Sequence, residues 1–299
     1  MILTPRTVKL TTRTGIDIHR TLPNRNIRTI GAWCFVDHFG PTDQKDAMSV
    51  ASHPHVGLQT VSWLFSGAVE HCDSLESVQI IQPGELNLMT AGYGVAHSEL
   101  SLIGSSPMHG VQLWTALPNS ARNGEARFDH YKNLPKFNLT GATIRLFVGE
   151  FMGFSSPART FSELIGAEVD IAAGALISLP LRSDYEYGAL LVAGDLKIDY
   201  SELPLNHLFY SSAGASQITM SSLAGAKIVL LGGKPFLEEI LMWWNFIGRT
   251  HEEIEQMRND WNNQSERFPS FKDHIHGWIP APEMPNLRLY ARGNTTLQS

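Results

Sequence analysis

Along the chain, apolar residues fall in short runs, some alternating with polar residues and some continuous. They recur about every ten residues and are separated by glycine and proline. Thr60–Phe65, Val78–Ile81, Ile144–Val148, Leu190–Val192 and Lys227–Leu231 are examples. Many short strands punctuated by turn residues predict antiparallel sandwiches or barrels rather than strands alternating with helices. No glycine-rich loop follows a strand and opens a helix, so dinucleotide binding is not expected. One helix stands out. Thr250 and Glu253 form a capping box, Glu252 adds acidic charge to the first turn, and Ile254, Met257 and Trp261 make one apolar stripe that can lie on a sheet.

The two halves resemble each other. LFSGAVEHCDS at 64–74 overlays LVAGDLKIDYS at 191–201, with Gly67 on Gly194, and Pro83-Gly84 falls roughly on Ala213-Gly214. Tandem β domains follow from this overlay. The boundary is expected in 150–157, where Gly, Ser and Pro cluster. That gives units at 1–150 and 151–250, then a helix and Pro-rich tail at 251–299 packing on them.

Composition narrows the function classes. The chain has 299 residues, 43% apolar and 17% charged, enough to bury a large core without staples. Its net charge of −6 argues against direct nucleic-acid binding and against a basic membrane-facing patch. Two cysteines, Cys34 and Cys72, make no disulfide framework and read as reduced thiols. No apolar run approaches the roughly 18 residues of a membrane helix, and the N-terminus lacks a basic segment followed by an apolar one. A cytoplasmic protein is expected.

The chemistry concentrates between residues 53 and 99. His53-Pro54-His55 leads into a strand, and His97-Ser98-Glu99 follows a glycine-rich turn. On an extended backbone, residues i and i+2 point the same way, so each pair shares a face. Two such pairs facing one interior make a site of three imidazoles and one carboxylate, His53, His55, His97 and Glu99, with open positions left over. Nitrogen and oxygen donors without thiolate suit a divalent first-row metal. Imidazole ligates only when neutral, so metal affinity is expected to fall below about pH 6.

Several motifs in order resemble the pirin family, a branch of the cupin superfamily. Asp37-His38-Phe39-Gly40-Pro41, the run from His53 through Thr60, Pro83-Gly84-Glu85, the run from Thr90 through Glu99, Gln112-Leu113-Trp114 with Leu117-Pro118, and Gly232-Gly233-Lys234-Pro235-Phe236 carry the likeness. The resemblance implies an all-β chain of two tandem cupin, jelly-roll-like barrels with a short C-terminal helix. It implies one metal in the first barrel, usually iron as Fe(II), with Mn, Ni, Cu, Zn and Co as alternatives, held by His53, His55, His97 and Glu99. It further implies a dioxygenase of quercetin-type aromatic substrates that uses O2, with Glu99 also taking the substrate proton. The alternatives it leaves are a non-enzymatic, redox-sensitive regulator that binds a protein partner, and another cupin reaction or a vestigial site.

Two departures from the family pattern matter: Val56 stands where an arginine is usual, and Gln59 where a glutamate is usual. If position 59 supplies a base, weak turnover is expected, with a gain on Gln59→Glu. Carried through the repeat, the ligand positions become Pro180, Arg182, Lys227 and Val229, so the second barrel is expected to be metal-free. His38 is a candidate neighbour of the metal, and His71 and His109 read as ordinary strand residues. Trp243-Trp244 reads as a packing pair or a ligand platform. His274-Ile275-His276 repeats the HxH spacing in a tail with no HxE after it.

Overall fold

The computed structural model of the protein describes residues 1–9, 16–42, 48–102, 104, 105, 107–274 and 277–294. The expected strands form, and they build two jelly-roll-like sandwiches rather than closed barrels. In the first sandwich a seven-stranded sheet runs Arg127–Tyr131, Leu86–Thr90, Leu58–Ser66, His109–Ala116, Trp33–Phe39, Asp17–Leu22, Arg6–Lys9. Facing it is a four-stranded sheet ordered Ser49–His55, Val95–Ser101, Val69–Asp73, Val78–Ile81. The second sandwich repeats the plan. Leu176–Pro180, Gln217–Ser221, Leu196–Ile198 and Ser201–Leu203 form its small sheet, and Glu186–Gly194, Ala226–Gly233, Leu164–Ile171 and Ala142–Phe151 the middle of its large one.

The large sheets pack on each other. Leu58–Ser66 shows how the alternation serves both sides. Ser62 turns into the first sandwich, while Val61 and Trp63 join a core shared with Phe147, Leu190 and Val229 of the second. Trp33 is fully buried at this junction, and its indole Nε1 donates to the carbonyls of Ile165 at 3.1 Å and Gly232 at 3.2 Å.

The two interiors differ. The second sandwich is filled by aliphatic side chains such as Ile165, Val169, Leu191, Ile218 and Leu230. In the first, an apolar cluster of Ile18, Phe39, Leu64, Val69 and Ile81 occupies only part of the interior, and imidazoles and carboxylates take the rest.

The ends of the chain cross over. Ile2–Leu3 pairs with Leu208–Ser211 of the second sandwich. In return, the C-terminal segment reaches the first sandwich, where Ile247 N–H donates to the Val56 carbonyl and Ile279 N–H to the Ser52 carbonyl. The helix His251–Asn262 is capped by Thr250, which accepts from the Glu253 N–H, and buries Ile254, Met257 and Trp261 against Val56, Ala96 and Phe246. Among the described residues no helix is long and apolar enough to cross a membrane.

Two expectations change. Lys136–Leu139 and Ala142–Phe151 pair into the second sandwich, and Phe151 turns back to Phe154 in a hairpin. The passage between units therefore lies between Tyr131 and Lys136, and the Gly/Ser/Pro cluster at 150–157 is a turn within the second unit. The repeat also shortens in its second half. His97 pairs with His53, and the equivalent pair is Thr219 with Ser178. Lys227 and Val229 instead sit on Ala226–Gly233, the counterpart of His109–Ala116. Leu176–Pro180 and Gln217–Ser221, which correspond to the two histidine-bearing strands, contain no His, Cys, Asp or Glu.

Trp33→Ala should remove about 3–5 kcal/mol of stability, the usual loss for a large buried aromatic, because the two sheets cannot collapse onto the void independently. Urea denaturation measures it. A loss under about 1 kcal/mol would mean that the junction contributes little.

Candidate metal centre

His53 and His55 leave the end of Ser49–His55, and His97 and Glu99 lie on the adjacent antiparallel strand, with His97 directly opposite His53. The pairing slips between His97 and Glu99, where a bulge brings Glu99 opposite Val50. The imidazoles of His53, His55 and His97 converge, each offering a ring nitrogen within 4.8 Å of the others. His55 Nε2 and His97 Nε2 are 3.1 Å apart. His53 Nδ1 must carry a proton, because it donates to the Ala51 carbonyl at 2.9 Å, which leaves Nε2 free to accept.

The carboxylate sits to one side. A Glu99 oxygen meets the same 4.8 Å limit with His97 and His71, and is not grouped with His53 and His55. Glu99 Oε1 also accepts from Ser62 Oγ at 3.3 Å. All five side chains are buried. Burial disfavours charge, and it pushes His53 down to about 4 and His55 and His97 well below the ordinary imidazole value. It raises the Glu99 carboxyl. Three neutral imidazoles and a carboxylate form a donor set that could hold a divalent first-row ion.

A cavity of about 330 Å³ opens onto these groups. Phe35 and Trp114 stack at 3.9 Å between ring centres on one wall, and His55 meets Trp114 edge-on. Arg20 lies over Phe35 and grips Asp37 with two hydrogen bonds of 2.7 and 2.8 Å. Trp244, Asn245 and Ile279, from the C-terminal segment, complete the wall. Trp244 is thus a cavity residue rather than only packing.

Other histidines are placed differently from expectation. His71 is part of the cluster: its Nδ1 is 3.3 Å from His97 Nδ1, and its Nε2 is 2.9 Å from Asp73 Oδ2. The HxD spacing of His71 and Asp73 was the available signal, the same i, i+2 rule that found the other pairs. His38 points away from the cavity, bonded to His109 Nε2 at 2.9 Å and to Asn206 Oδ1 of the second sandwich at 2.8 Å. It joins the sandwiches instead of supporting the metal-site residues. Of the tail motif, Ile275 and His276 lie outside the described residues, and His274 is 3.5 Å from Glu70.

Gln59 is also elsewhere. Its amide Nε2 donates to Thr90 Oγ1 at 2.9 Å and to the Arg159 carbonyl at 3.1 Å, on the face of the strand opposite Ser62. Gly57 lies between His55 and Gln59 with φ of +73°, so the alternation does not carry across. Gln59 does not line the cavity.

Residues 15–115 match the family described as Pirin, and residues 166–269 match the Pirin C-terminal cupin domain. The chain belongs to the pirin family. A Pseudomonas aeruginosa pirin relative, provisionally named a quercetin 2,3-dioxygenase, is 40% identical over 91% of this chain and 87% of its own. The crystal structure of quercetin 2,3-dioxygenase from Acinetobacter baumannii superposes with a TM-score of 0.92 at 35% identity, over 97% of each chain. The bacterial pirin YhhW from Escherichia coli, solved in complex with nickel(II), has a TM-score of 0.60 at 16% identity, over 79% of this chain and 99% of that one, and shares the fold.

Two outcomes follow from the placement. Gln59→Glu should give no gain in activity and should destabilise the protein by about 1–3 kcal/mol, since a carboxylate beside the Arg159 carbonyl has lost its donor; a rise in turnover would return position 59 to the active site. In metal-free protein the ring signals of His53 should stay those of neutral imidazole from pH 8 down to about 5, since protonation waits for pH near 4. A His53 titration midpoint near 6.5 in NMR spectra would show an open, solvated site.

Proposed function

We propose that this pirin cleaves flavonol-type aromatic enols with O2, quercetin being the model substrate, at one divalent metal ion held by His53, His55, His97 and Glu99. Fe(II) is the expected ion, and the donor set also suits Mn, Ni, Cu, Zn and Co. The observation that carries this reading is the convergence of three buried imidazoles, His53, His55 and His97, at a cavity with aromatic walls that Glu99, beside His97, also lines. The names of the Pseudomonas and Acinetobacter relatives agree with it. Two free, buried thiols suit a reducing, cytoplasmic setting.

When bound, the metal would supply Lewis acidity and redox capacity. The chain's own residues do the rest. A flat aromatic ring can lie along Phe35 and Trp114, and Arg20, held by Asp37, offers donors to a polar ring substituent. Trp244 and Ile279 add apolar wall to the cavity. In this reading Glu99 receives the substrate hydroxyl proton at an Oε, with Ser62 Oγ donating to its Oε1.

Elemental analysis should find about one metal per chain, and His97→Ala should lose most of it. Oxygen uptake with quercetin should follow metal content, and Glu99→Gln should lower kcat by about 10²–10⁴-fold, the usual worth of a general base. Two metals per chain or full occupancy in His97→Ala would overturn the ligand set. A fully loaded protein with no uptake on quercetin or simple catechols would overturn the activity and turn attention to capture of a protein partner that depends on iron oxidation state.

A further inference from the structure

Behind the cavity, three buried side chains form a line that ends at the candidate metal centre. Asp73 Oδ1 accepts the backbone N–H groups of Leu75 at 2.9 Å and Ser77 at 3.0 Å, and its Oδ2 lies 2.9 Å from His71 Nε2. His71 lies flat against Phe128, with ring centres 4.4 Å apart and planes 15° apart, which fixes its orientation. Its Nδ1 is 3.3 Å from His97 Nδ1, and the opposite nitrogen of His97, Nε2, faces His55. Neither Asp73 nor His71 lines the cavity.

A neutral imidazole has one nitrogen that donates and one that accepts. An accepting carboxylate at Asp73 requires the proton of His71 on Nε2. His71 Nδ1 is then an acceptor, and its contact with His97 closes only if His97 carries its proton on Nδ1. That leaves His97 Nε2 with a free lone pair on the side of His53 and His55. At His53 the same selection is made by the Ala51 carbonyl, again on the nitrogen remote from the cluster.

We infer that Asp73 and His71 are positioning residues that fix the tautomer of His97, so that its Nε2 lone pair is presented to the metal. The inference rests on the proposed metal site. It also chooses between the two groups of side chains that could hold an ion. His71 Nδ1 is engaged by His97, so His71, His97 and Glu99 do not form a separate binding site. Removing the outer partner of a ligating imidazole typically lowers metal affinity 10–100-fold.

Asp73→Asn tests this. The amide oxygen can still accept from Leu75 and Ser77, but the amide nitrogen would donate to His71 Nε2. The proton of His71 then moves to Nδ1, His97 accepts there, and the proton of His97 moves to Nε2, where it blocks ligation. His71→Leu, which removes the acceptor and leaves the turn around Asp73 intact, is the second variant. The readout is long-range ¹H–¹⁵N correlation spectroscopy of metal-free protein labelled at histidine nitrogen, followed by titration with Co(II). His97 should be protonated at Nδ1 in the native protein, at Nε2 in Asp73→Asn, and should populate a mixture of the two neutral tautomers in His71→Leu. Co(II) affinity should fall 10–100-fold in both variants. Protonation of native His97 at Nε2, or at Nδ1 throughout the series, would overturn the inference, as would a tautomer change with unchanged Co(II) affinity. Native protein that binds no Co(II) would overturn the proposed metal site, while the spectra would still decide the tautomer.

Discussion

The interior of the first sandwich cannot be a close-packed apolar core and also hold three imidazoles at a cavity with a fourth behind them. Everything else in the structure accommodates that constraint. A buried polar group is tolerated only when it is hydrogen-bonded, and a buried charge only when it is paired. Burial accordingly lowers the pKa of His53, His55 and His97, and the outer nitrogens of His53 and His97 are tied to Ala51 and to His71, which in turn meets Asp73. The apolar burial forgone there is found in the second sandwich and in the junction between the large sheets. The repeat has thus divided its labour, with one copy carrying polar groups and the other carrying aliphatic bulk.

The crossing of the chain ends serves the same need. The segment from Leu241 onward lies against the strand that carries His53 and His55, and Phe246 pairs beside Val56. This accounts for Val56 in place of the arginine usual in the family: the side chain is buried under the C-terminal segment, where a guanidinium would have no partner among Phe246, Ile254 and Trp261. Gly57 next to it has its φ in the left-handed region, and a Cβ there would meet the Ile247 carbonyl oxygen at 2.2 Å. The docking of a distant segment therefore restricts two residues immediately after the HPH motif.

Much of the candidate site's geometry was legible because it follows the period-two geometry of strands. The pairs 53/55 and 97/99 needed only that rule, and the helix needed only its cap and its stripe. Position 59 was misread because Gly57 interrupts the alternation, which no count of residues from His55 reveals. His71-x-Asp73 obeys the same rule, but its strand Val69–Asp73 lacks the glycine-rich turn that marks the other pair. Lys227 and Val229 fall on the next strand because the second half of the repeat is shorter, while an offset taken from the turns of the overlay lengthens along the chain. Trp244 and Ile279 reach the cavity from more than a hundred residues beyond His97, and no local pattern encodes such a contact. The likeness to the pirins gave the fold, but the outer wall of the cavity depends on how this chain folds its end back.

The central claim is that three imidazoles, not two, surround one ion. X-ray absorption at the iron edge of Fe(II)-loaded protein tests it directly. The account predicts a shell of nitrogen and oxygen without sulfur, with multiple scattering that requires three imidazole rings. A shell fitted by two imidazoles, as His71, His97 and Glu99 would give, or one containing sulfur from Cys34 or Cys72, would contradict it.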